Sequence, residues 1–193
     1  GYEYFPADDN TVYLIAHWFP RMAVYNDTEG WQNQQFNRLG EFTLEFGNYE
    51  VNITVPEDHI IASTGELQNT SEVLSKTELK RLDEARKSFD KPVLIVTKEE
   101  AEAHEKVKST KLKTWKFKAF NVRDFSFASS RKFIWDAIGV QFGDRTVMAM
   151  SYYPKEGNPL CEQYSTKAVA HTLRSYSKYT FDYPYPVAIS VHA

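Results

Sequence analysis

One cysteine, Cys161, stands in 193 residues, which excludes an internal disulfide and leaves the redox compartment open. No apolar run approaches the roughly 20 residues that a membrane-crossing helix needs, so none is expected. Charge of one sign is equally scarce, since 23 basic against 26 acidic residues leave a net charge of −3. That balance gives no electrostatic reason to expect nucleic acid or an anionic membrane as a partner. Glycine-rich phosphate loops, a Gly-x-Ser-x-Gly elbow and internal repeats are all missing. The five histidines are dispersed. His104-Glu105 begins like a zincin helix, yet the residue one turn on is Lys108, a cation that cannot ligate a metal. His171 has Lys167 and Ser175 one turn away, His59 has no partner at ligand spacing, and His192 lies too near the last residue to be placed. These residues therefore make up neither a metal site nor a complete active site. Two sequons, Asn52-Ile-Thr and Asn69-Thr-Ser, read as chance matches.

What is abundant is aromatic: 15% of the chain, mostly Tyr and Phe, beside 42% apolar and 25% charged residues. These totals describe a globular chain able to bury a sizeable core, one large domain or one and a half small ones. Aromatic enrichment tilts the fold toward β-structure and large packed interfaces. Residues 1–10 look polar and irregular, and Thr11 to Ala16 read as a buried strand. Trp31 to Gly40 read as a loop. Phe42, Leu44, Phe46 and then Tyr49, Val51, Ile53, Val55 alternate with polar residues, the strongest strand signal in the chain. Gly47-Asn48 between them is either a two-residue hairpin turn or a bulge in one long strand. His59 to Leu67 predict another strand.

The period then changes. Leu79, Leu82, Ala85 and Phe89 predict an amphipathic helix over 75–89 with Ser75 or Thr77 as its cap, and Lys98 to Lys108 predict a second, very polar helix. Pro92 to Thr97 lie between them as a short strand, and the charged region 73–110 is expected outside, as an insertion. Strands resume over 112–120, 125–129, 133–140 and 146–153. Asn158-Pro159 then predicts a helix start whose apolar face is Leu160, Tyr164, Ala168, Leu173 and Tyr176. The aromatic-proline run Phe181 to Pro186 feeds a last strand, Val187 to Val191. The expected fold is mainly β, an antiparallel sandwich or saddle with two or three helices, α+β overall.

Three segments in order resemble the zinc aminopeptidases of the gluzincin type, the group that includes alanyl aminopeptidase and leukotriene hydrolase. Ala16 to Asp27 (AHWFPRMAVYND), followed by EFTLEFGNYEVNITVPEDHIIASTGEL, resembles the late part of that family's N-terminal β domain. Thr114 to Ser130 resembles its final strands, and Ala168 to Ala193 the first helix and strand of the catalytic domain. WFPRMAVY and MAMSYYP are phrases typical of a bacterial branch. The resemblance implies that residues 1–155 are part of the N-terminal β domain and that 156–193 open a catalytic domain cut short at Ala193. In the family a Gly-x-Met-Glu-Asn loop, a His-Glu-x-x-His helix and a third Glu ligand follow, so zinc is implied for the parent enzyme. No cofactor is implied for this chain, which alone is expected to be inactive. The family's substrate-amine acceptors align with His17 and Phe19, of which only His17 has an accepting atom.

The partners this implies are the remainder of the catalytic domain and, in the parent, a peptide substrate. Loss of that covering body would expose an apolar patch near Tyr176 to Val191, open to self-association. Gly1 reads as a processing remnant, so a secreted or periplasmic parent would have carried its signal peptide ahead of it, and the compartment stays open. The rival reading is a stand-alone β-sandwich module that binds a glycan or protein through exposed aromatics.

Overall fold

The computed structural model describes residues 1–34 and 44–192. The mainly β expectation holds: these residues form thirteen strands and four α-helices, and all but one of the strand pairings are antiparallel. One sheet runs β1 (Tyr2–Phe5), β2 (Asn10–Ile15), β10 (Phe127–Ser130) and β6 (Ile60–Ser63). β1 lies within a segment expected to be irregular. It is an edge strand with three exposed residues, so no apolar alternation marks it. A small hairpin joins β3 (Val24–Asn26) to β4 (Gly30–Gln32).

The strongest sequence alternation becomes β5 (Gly47–Pro56), paired along its whole length with β9 (Leu112–Val122), which also pairs β7 (Glu66–Leu67). The expected strand over 41–46 lies outside the described residues as far as 43, and Leu44 to Phe46 carry no strand. Gly47-Asn48 closes no hairpin. The register shifts there, and Asn48 Oδ1 accepts the N–H of Asn121, whose φ is 54°. The strand expected over His59 to Leu67 breaks at Gly65, where φ is +83° and a Cβ would stand 2.3 Å from the Lys118 carbonyl oxygen. Only glycine fits that close approach.

The last sheet runs β13 (Val187–Val191), β12 (Arg145–Tyr153), β11 (Ile134–Phe142) and β8 (Val93–Val96). Region 73–110, expected outside as an insertion, is partly buried. It supplies β8 to this sheet, and Ile95, Val96, Ala85 and Ala101 are fully buried. Its helices are α2 (Lys76–Lys87) and α3 (Lys98–Val107), preceded by the single turn α1 (Thr70–Val73). Both longer helices begin in capping boxes, Ser75 with Glu78 and Thr97 with Glu100. Their outward faces are so charged that the narrow buried strip is outnumbered, which is why composition reads them as external.

A π-turn (Cys161–Ser165) leads into α4 (Thr166–Tyr179). The buried stripe is Cys161, Thr166, Ala170 and Leu173; of the face expected from sequence only Leu173 is in it, while Leu160, Tyr164, Ala168 and Tyr176 are exposed. The π-turn takes up an extra residue, so a helical phase read from Leu160 and Tyr164 does not carry across it. Beneath α4 lie Ile138, Val140, Val147 and Ala149, while Trp115, Phe125, Phe133 and Tyr153 anchor the larger core.

Candidate functional site

The three segments that carry the sequence resemblance meet at one groove of about 540 Å³. Phe46 and Ala62 to Glu66 line it from the first segment, Phe120, Val122 and Phe127 from the second, and Tyr183 to Val187, Ile189 and Val191 from the third, with Leu14 of β2 beside them. The lining is mostly apolar and aromatic, with Arg123, Lys118 and Glu66 as its charged members. Size and chemistry are those of a ligand-binding cleft. Arg123 has its guanidinium over the Phe46 ring at 5.9 Å, while Lys118 pairs with Glu50 at 2.8 Å.

The aromatic-proline run sets this wall. Tyr183 N–H donates to Ser177 Oγ (3.2 Å), its carbonyl accepts from Arg145, and its hydroxyl donates to the Val187 carbonyl (3.2 Å). The Tyr185 hydroxyl reaches across to the Asn121 carbonyl (3.0 Å). Pro184 and Pro186 hold the chain extended between these anchors. β13 then joins β12 in parallel, at the sheet's edge and half-buried along its length. Met148 N–H donates to the Pro186 carbonyl and His192 N–H to the Tyr152 carbonyl, both at 2.9 Å. Even-numbered residues therefore face β12, and the backbone groups of Val187, Ile189 and Val191 face the open edge beside the groove.

His17 and Phe19 lie in the loop after β2, apart from the groove lining. His17 is exposed, has φ 53°, and holds Nδ1 3.5 Å from Asp124 Oδ2; Arg21 also donates to Asp124. Phe19 packs edge-on against Trp18 and Tyr49 and under the Arg21 guanidinium, 4.8 Å away. Trp18 Nε1 donates to the Phe125 carbonyl (3.0 Å), tying the loop to the second resembling segment. Sequence reasoning picked this loop and missed Phe46 and Arg123. Nothing local distinguishes those two residues, because the fold makes their positions significant.

The titratable groups of the interior serve the fold. His59 Nδ1 is 2.7 Å from Ser129 Oγ, and burial, then the nearby Arg131 charge, press its pKa down to about 4. Asp136 accepts from Tyr153 (3.0 Å) and Thr166, yet burial pushes its carboxyl up to about 6. Lys132, with no exposed surface, reaches Asp8 (2.7 Å), Glu156 (2.9 Å) and Glu105 (3.4 Å). Asn69 of the second sequon is buried, donating to Glu72 and the Thr114 carbonyl and accepting from Lys116 N–H. Among the described residues no three His, Cys, Asp or Glu side chains come together in a way that could hold a metal ion. They do not fit a zinc site.

No protein-family model matches the chain, and no curated protein matches it. Among solved structures it is similar to an M1 zinc metallopeptidase from Deinococcus radiodurans, with 18% identity, a TM-score of 0.46, and coverage of 76% of this chain and 26% of that one. A mutant of that metallopeptidase bound to a Tyr-Ser-Ala substrate gives 18% identity and a TM-score of 0.44, over 76% of this chain and 26% of that one. This chain thus spans about a quarter of the length of the solved structures it is similar to.

Proposed function

We propose that this chain is the non-catalytic N-terminal portion of a bacterial zinc-dependent aminopeptidase, walling the cleft in which a peptide's amino end is cut. The observation that carries this reading is convergence. Three stretches that resemble the gluzincin aminopeptidases lie far apart in sequence and line one groove. In this reading residues 1–155 are β domain and 156–193 open the catalytic domain. Zinc, the His-Glu-x-x-His helix and the Gly-x-Met-Glu-Asn loop belong to the rest of the parent, which also covers Tyr176, Tyr179 and Phe181. His17, oriented by Asp124, is the residue of the amine-binding pair with an atom to offer a peptide's amino group; Phe19 shapes the loop.

Purified chain incubated with aminoacyl-p-nitroanilides, with and without added zinc, is expected to show no turnover. Zinc-dependent release of nitroaniline would overturn the reading, as would a stop codon directly after Ala193 in the gene. A second reading, a stand-alone binding module, is favoured by Tyr25 and Trp31, stacked edge-on at 5.3 Å and both mostly exposed on the β3–β4 hairpin. A glycan or protein array that gives binding lost in Trp31→Ala would favour the module.

A further inference from the structure

We propose that the open edge of β13 accepts an extended peptide strand supplied by another polypeptide, its apolar side chains alternating into the groove and a carboxylate meeting Arg123. The proposal does not depend on the parent being a peptidase. It rests first on backbone chemistry: the N–H and C=O groups of Ile189 and Val191, and the N–H of Val187, face an edge that no described strand pairs. Sheet edges are normally blunted by charge, proline or a bulge. β1 and β5, also at sheet edges, carry Glu3 and Glu50, and β5 has a register shift. β13 reads Val-Ala-Ile-Ser-Val, pairs β12 without a shift and carries none of these devices.

The second observation is the groove that runs beside this edge. Val187, Ile189 and Val191 line it together with Phe46, Phe120 and Phe127, so a strand laid along β13 finds apolar surface for alternate side chains. Strand addition of this kind takes affinity from main-chain hydrogen bonds and selectivity from such pockets. Charge sets the occupant's chemistry. Lys118 is engaged by Glu50 at 2.8 Å, which leaves Arg123, over the Phe46 ring and in no ion pair among the described residues, as the cation the groove offers. An apolar peptide carrying an acid is the complementary ligand.

The probe is fluorescein-labelled Val-Thr-Ile-Thr-Val-Glu, titrated against the full chain by anisotropy and followed by amide hydrogen exchange. Saturating peptide is expected to slow exchange at Ile189 and Val191 at least tenfold while Ala188 and Ser190, already facing β12, stay unchanged. N-methylating alternate peptide amides is expected to weaken binding about tenfold, because each lost main-chain bond is felt at a desolvated edge. Arg123→Ala is expected to cost about threefold for the Glu-ended probe and nothing for a Gln-ended one. Equal binding of the N-methylated peptide, or protection elsewhere on the surface, overturns the proposal. So does exchange at Ile189 that is slow without peptide, whether at every protein concentration (the chain's own segment) or only at high concentration (a second copy).

Discussion

Lys132 has no exposed surface, and a lone ammonium in that position would cost several kcal/mol; Asp8, Glu105 and Glu156 are what make it tolerable. Lys132→Met leaves those carboxylates short of a partner and is expected to cost about 3 kcal/mol in urea unfolding at pH 7. A loss below about 1 kcal/mol would show that the network is dispensable. His59 and Asp136 give opposite pH responses. His59 titrates near 4 in the fold against 6.5 in the unfolded chain, so from pH 6.5 down to 4 the unfolded state holds the extra proton and stability falls. Asp136 titrates near 6 against 3.8, so over pH 6 to 3.8 the fold holds the extra proton and stability rises on acidification. His104, whose pKa burial also lowers, adds to the His59 slope, so Asp136 offsets only part of it and wild-type stability is expected to fall on acidification between pH 6.5 and 4.5. Asp136→Asn should steepen that fall and His59→Gln should flatten it; parallel profiles for the three proteins would refute both assignments. None of this was legible in sequence, because a lysine, a histidine and an aspartate look alike whether buried or exposed until their neighbours are known.

The elements with local signals were the readable ones. α2 announces itself through the Leu79, Leu82, Ala85 period and a capping Ser75, α3 through its polar run, and β5 and β9 through strict alternation. Ser75→Ala is accordingly expected to lose about 1 kcal/mol by denaturant unfolding, the ordinary worth of an N-cap. Gly65→Ala should lose more, about 2 kcal/mol, since its φ is positive and the Lys118 carbonyl occupies the space of a Cβ. Equal stability of Gly65→Ala and wild type would mean that the β6–β7 break relaxes freely. Elements whose signal is not local misled the reading. The π-turn hid the true face of α4, and β8 looked external because its exposed helical neighbours dominate the composition around it.

At the scale of the whole molecule, aromatic surface is the outstanding property: Tyr176, Tyr179 and Phe181 are 68%, 79% and 72% exposed. Replacing all three by serine is expected to abolish concentration-dependent sedimentation while leaving stability within about 0.5 kcal/mol, as for ordinary surface changes. A wild-type chain that sediments as one species at every concentration would remove the self-association expectation. The groove was half-legible in the same way. Its three contributing segments stood out in sequence, but their convergence depends on β2 meeting β10 and on β13 meeting β12, which no local pattern encodes. That long-range closure also has a consequence for how a cell makes the protein. The Ser130 hydroxyl bonds the Thr11 carbonyl across 119 residues. At about 5–20 residues per second of translation, the first hairpin waits on the order of ten seconds for its partner strand. Val12, fully buried in the finished fold, stays uncovered through that interval. Slower translation before residue 127 lengthens that exposure.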